Sequence, residues 1–240
     1  MLVLFALIFR AVSLEFWTYD EKRRNLWTAA FSIGSIVPSL LFGVALGNVV
    51  YGVPLSETHE YAGSFLTLLR PYPLLVGMLG FSAILLQGSA YTTMKMKGTL
   101  RTKARSIAKI MFFITAILFA TTAAVHVSAF SVHNTNVLFW IFAALFSAAI
   151  ASGIYAHSKE KDGALFVASS LSFALMWACA GSLHFPRLVS AVGGNPITAA
   201  NASSGDATLS AMLIIALVFM PVVILYKIFV YRIFKGRIEL

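Results

Sequence analysis

Five histidines (His59, His126, His133, His157 and His184), one cysteine (Cys179) and eight methionines are the side chains of this chain able to ligate a haem iron or another metal. Inside an apolar bundle such ligands must project from helices into the core, so depth decides. His126 lies one turn from the end of an apolar segment, and the other four histidines fall in loops or at segment ends. No two have the depth or spacing of an axial pair. His126 is expected to be satisfied by a carbonyl of the adjacent loop. Met78, Met111, Met176, Met212 and Met220 read as packing residues. Cys179, alone in an apolar run, allows no disulfide, CxxC pair or thiolate site within the chain and reads as a small packing residue. Glycine-rich phosphate loops and nucleophile elbows do not occur.

The polar residues inside apolar segments are few. Gln87 is the deepest, about two-thirds of the way along its segment, and an amide there must find a partner: a neighbouring helix or the polar head of a cofactor. Asn48 reads as a helix C-cap, with Gly52 and Pro54 turning the chain away. Arg10 interrupts the first apolar stretch, Met1 to Phe9. If Arg10 pairs with Glu15 or faces protein, the helix can run on to Trp17. The longer segments hold no Asp or Glu, so a proton relay or ion path built solely by this chain is not supported.

Positioning these groups falls to long apolar elements. A chain of 240 residues that is 59% hydrophobic and 11% charged, with mean hydropathy +0.85, lies far from soluble domains. Six segments reach the roughly 20 residues that a helix needs to cross a bilayer: Leu26 to Gly47, Leu74 to Met94, Ile107 to Phe130, Val137 to Ala156, Ala164 to Leu183 and Leu209 to Tyr231. Met1 to Phe9 is too short and is expected to be the end of a helix whose start is missing. Small residues four apart, Gly43 with Gly47 and Ala168 with Ser172, allow close helix contact. Pro38 and Pro221 are expected to kink their helices.

The net charge of +9 would suggest nucleic acid in a soluble protein, but the cations do not share one face. Sixteen of the 18 Lys and Arg residues fall on one side of the apolar segments, leaving Arg70 and Arg187 on the other. The positive-inside rule then places the C-terminus in the cytoplasm. The expected fold class is all-α: a polytopic helical membrane protein with six full transmembrane helices and an N-terminal partial helix, in one membrane domain.

Particular words of the sequence go further. Phe9-Arg10-Ala11-Val12-Ser13-Leu14-Glu15-Phe16, then Arg24-Asn25-Leu26-Trp27, then Gly43 to Gly47 running into Asn48, Gly52, Val53 and Pro54, resemble subunit II of the cytochrome bd-type quinol oxidases. The succession continues through Leu86 to Tyr91, Lys97 to Arg101, Phe185-Pro186, Asn201 to Ser203 and Asp206 to Leu209, and ends in Pro221 to Tyr226. Members of that family begin with about two further helices, so the chain is expected to be N-terminally truncated.

The resemblance implies a subunit of a heterodimeric respiratory enzyme that oxidises quinol and reduces dioxygen to water. It implies two b-type haems and one d-type haem, all held by subunit I, and a structural quinone in some members. It implies that residues 1–47 are the remnant of a first helix bundle, 74–183 a second four-helix bundle, and 209–231 a peripheral last helix. The family's proton-path acids lie outside this sequence, so none is carried over. Arg10, Glu15 and Trp27 are expected at subunit contacts or in support of the partner's haem region. Gly47, Asn48, Gly52, Pro54 and Gln87 are expected at contacts or in structural roles. The competing readings are a small permease, which would gather polar groups at the midplane, and a membrane scaffold without a redox partner.

Overall fold

The computed structural model describes residues 1–56, 58, 60–130, 136–192, 195–234 and 236, with the side chains of 129 and 130 left aside. His59, His133, Lys235 and Arg237 lie outside the described residues. The helices are α1 (Leu2–Tyr19), α2 (Arg24–Tyr51), α3 (Pro71–Lys95), α4 (Gly98–Phe130), α5 (Val137–Ser158), α6 (Asp162–His184) and α7 (Asp206–Ile233). Among the described residues, all seven are long and apolar enough to cross a membrane.

The all-α, polytopic reading holds, and the N-terminal element is longer than Met1 to Phe9. The first helix does not end before Arg10 but runs 18 residues to Tyr19. Arg10 is carried against α2: its Cβ lies where Gly34 leaves room for it, and its guanidinium sits 5.4 Å from the centre of the Phe31 ring. It therefore belongs to the middle of a helix rather than to a basic loop. No ion pair joins it to Glu15, so that pair does not accommodate the charge.

Local chemistry sets the helix ends. Pro71 and Pro73 open α3, where a missing N–H costs nothing. Asn136 caps α5, its side chain accepting from Phe139 N at 3.0 Å, and its amide donates to Ser182 O of α6 at 2.9 Å. Asp162 and Asp206 place carboxylates in the first turns of α6 and α7, against the positive end of each helix dipole. Gly52, at φ +101°, terminates α2, and a side chain there would meet Val192. Asn48 is accordingly not the C-cap. The helix continues three residues beyond it, because Gly52 supplies the left-handed turn. Helices α2 and α7 continue through Pro38 and Pro221.

Between lipid-soluble helices no hydrophobic driving force operates, so close packing and buried hydrogen bonds hold the bundle. Gly43 and Gly47 let α2 approach α3. A Cβ on Gly43 would stand 2.8 Å from Gly77 Cα, and one on Gly47 2.6 Å from Pro73 Cα. The hydrophobic core draws Leu86 and Ala90 from α3, Ala108 and Phe112 from α4, Phe146 and Ile150 from α5, and Leu165 from α6. Phe119 and Phe146 stack at 4.0 Å within it. By contrast, α7 buries none of its residues, and Lys95 Nζ donates to Phe234 O near its end at 2.9 Å.

Short connections make α3 and α4, and α5 and α6, antiparallel neighbours, which gathers the basic residues at one end of the molecule. At the opposite end the two long loops are joined. A parallel pair links β1 (Val53–Pro54) to β3 (Ala191–Val192), and an antiparallel pair links β2 (Arg187–Val189) to β4 (Ile197–Thr198). Val53 N donates to Ser190 O at 3.0 Å, so the end of α2 is clasped to the segment that leaves α6.

Candidate functional site

Toward the clasped end, a cavity of about 350 Å³ opens between α2, α3, α4 and α6. Its walls are apolar: Phe42 and Leu46 from α2, Leu79 from α3, Phe119 from α4, Phe173 and Trp177 from α6. Two groups able to hydrogen-bond stand at its clasped end, Tyr72 and His126. Tyr72 Oη lies 3.1 Å from His126 Nδ1, and both residues are buried. The sequence suggested a carbonyl of the adjacent loop as the partner of His126, and residues 131–135 of that loop lie outside the described residues; the structure gives it a phenol from α3, because the last turns of α4 pack on the first turn of α3. An aromatic row continues outward. Tyr51 lies 6.0 Å from Tyr72 and carries the Arg70 guanidinium at 5.1 Å. Met176 and Cys179 also line the cavity. The site thus suits a mostly apolar molecule with a polar group at one end.

Gln87 lies elsewhere, across the α3–α6 contact. Its Nε2 donates to Ser170 Oγ and its Oε1 accepts from Ser169 Oγ, each at 2.8 Å. Of the two partners open to it from sequence, the structure provides the neighbouring helix. Asn48 is buried and its Nδ2 donates to Val44 O at 2.9 Å and to Leu68 O at 2.7 Å. It ties the loop before α3 to α2, and the backbone of Gly52 and Pro54 then enters the clasp. Gly47 sits against Pro73 in the same crossing.

Arg10, Glu15 and Trp27 do not converge. Trp27 stacks on Phe16 at 4.9 Å and donates from Nε1 to Asp20 Oδ2 at 3.3 Å, bracing the α1–α2 turn. Glu15 is exposed on α1. Arg10 also counts as exposed, in the middle of a membrane helix where a charge costs at least about 2.5 kcal/mol.

One cluster escaped the reading of the sequence. Asp162, 3% exposed in its side chain, accepts from Arg101 Nε at 2.8 Å and lies 3.3 Å from Arg105 Nη1. The Arg105 guanidinium also donates to His157 O. These contacts knot α4, the end of α5 and the start of α6 at the basic end. Two arginines at a spacing of four on one helix, with an acid opening another, were the available signal. Reading basic residues only as a topology marker hid it.

A family model for cytochrome bd terminal oxidase subunit II matches residues 1–234. The chain belongs to this family. Among its relatives, the cytochrome bd-I ubiquinol oxidase subunit 2 of Escherichia coli strain K12 is 29% identical over 259 residues, covering 92% of this chain and 68% of the relative. The probable cytochrome oxidase subunit 2 of Haemophilus influenzae is 28% identical, with 92% and 68% covered. The cytochrome bd ubiquinol oxidase subunit 2 of Bacillus subtilis is 26% identical, with 92% and 67% covered. The subunit II described here is thus a multi-pass membrane component of an oxidoreductase complex that contains haem, and it works beside a partner subunit. Among its described residues, no group of three or more His, Cys, Asp or Glu side chains comes together.

Proposed function

We propose that this subunit II carries no redox centre of its own and supports a haem-bearing subunit I, which holds two b-type haems and one d-type haem, oxidises quinol and reduces dioxygen to water. It is then inactive alone. The observation that carries this reading is the family match along residues 1–234. The absence of an axial ligand pair in the sequence, with His126 held by Tyr72, agrees with it. The basic end, where Arg101, Arg105, Lys159 and Lys227 gather, lies in the cytoplasm and takes the C-terminus with it. Helices α3 to α6 form the second bundle, α1 and α2 belong to the first, and α7 is peripheral. Arg10, Glu15 and Trp27 contribute to subunit contacts, while Gly47, Asn48, Gly52, Pro54 and Gln87 keep the α2–α3–α6 frame in shape.

The cavity fits a quinone retained as a structural ligand. Tyr72 and His126 would receive its polar head and the walls its isoprenoid tail. When bound, it supplies a rigid apolar filler with a hydrogen-bonding ring. The residues of this chain orient that ring and keep water from it.

Co-purification tests the reading. Subunit II with an affinity tag, expressed with its operon neighbours, is expected to retain a larger membrane subunit and visible haem absorption, and to be colourless when expressed alone. A colourless, stable homo-oligomer from cells that make the partner would overturn it. Solvent extraction of the complex should yield about one quinone per subunit II, and less from Tyr72→Phe combined with His126→Leu.

A further inference from the structure

Arg10 has eight helical residues of α1 before it and nine after. At 1.5 Å per residue it lies roughly 14 Å from the basic end of the helix. Its guanidinium leans over Phe31, on the basic-end side of Gly34, yet reaches no acid among the described residues. Glu15 forms no ion pair with it, Asp20 accepts from Trp27, and Glu21 pairs with Arg24 at 3.3 Å. The ring face meets part of the charge but none of the five N–H donors. Along α1 only Ser13 is buried and Arg10 is itself exposed, so its guanidinium stays accessible beside Phe31.

We propose that Arg10 receives a carboxylate at mid-bilayer depth, contributed from beyond the described residues. Of the anions available in a membrane complex, a carboxylate matches the planar fork of a guanidinium through two parallel hydrogen bonds. Phospholipid phosphates stay at the surface, about half a bilayer away. The carboxylate is either an Asp or Glu side chain on a membrane helix of the complex or the propionate of a haem held by the partner. This inference rests on the subunit reading above.

The test uses the complete complex. A photoreactive benzophenone side chain at position 10 is expected to cross-link to a membrane helix within about two turns of an Asp or Glu. Reversing both charges, Arg10→Asp with that acid→Arg, should restore the haem content that Arg10→Asp alone lowers roughly tenfold. If the source is a propionate, Arg10→Met shifts the midpoint potential of one haem, and the cross-link falls on the haem-bearing subunit with no acid nearby. Cross-links to lipid or to this chain alone, with Arg10→Met retaining wild-type haem content and potentials, would sink the inference while leaving the subunit reading intact. A wild-type chain that captures no haem-bearing partner would overturn both.

Discussion

Two polar clusters in this molecule, Gln87 with its serines and Asp162 with its arginines, differ in what their loss leaves behind. Ser169 and Ser170 each also donate to Phe166 O, at 2.8 and 2.9 Å, so removing the amide orphans neither hydroxyl. Gln87→Leu is therefore expected to cost only about 1 kcal/mol, near the usual worth of interhelical bonds in membranes, measured by denaturant unfolding of the detergent-solubilised chain. Asp162→Ala instead leaves Arg101 without its carboxylate and Arg105 with only His157 O at a protein-lined corner. A loss of about 3 kcal/mol is expected in the same assay, with Asp162→Glu recovering most of it. Gln87 was legible in the sequence because an amide in an apolar run announces its need for a partner. Asp162 was not, because it sits among loop charges where burial leaves no mark on the one-letter text. The pairing of His126 with Tyr72 was equally hidden, since residues 54 apart meet only through helix packing.

Helices were easy to find and their ends harder, for a physical reason. Bilayer thickness sets a length that hydropathy reports directly, whereas termination depends on single residues such as Gly52, whose positive φ cannot be told from a flexible glycine in sequence. The N-terminal helix was legible only conditionally, because a charge can stop a helix or, on a long side chain, lie along its neighbour. At the α2–α3 crossing, by contrast, the small-residue spacing pointed correctly to contact. Even the first carbon of Gly43→Leu must push Gly77 and Val76 away by roughly half an ångström to 1 Å to reach an ordinary van der Waals distance. The expected outcome is loss of haem-containing complex with the chain still inserted, read from absorption spectra of purified membranes. Gly88→Ala, with nothing within 4 Å of the added carbon, should leave the spectrum unchanged.

At the scale of the whole molecule, the basic and clasped ends behave as different materials. Fusion of green fluorescent protein after the last residue should fluoresce, while alkaline phosphatase inserted after Ala62 should be active; the reverse pattern would invert the assigned topology. The Val53–Ala191 pairing has a mechanical corollary. It fastens α2 to the exit of α6 at the clasped end of the molecule, whereas Phe42 and Trp177 on the walls of the cavity are 60% and 52% exposed. A greasy guest thus meets a latched ceiling and an unlatched side wall, and it would arrive sideways, from the oily interior of the bilayer, rather than down from the water.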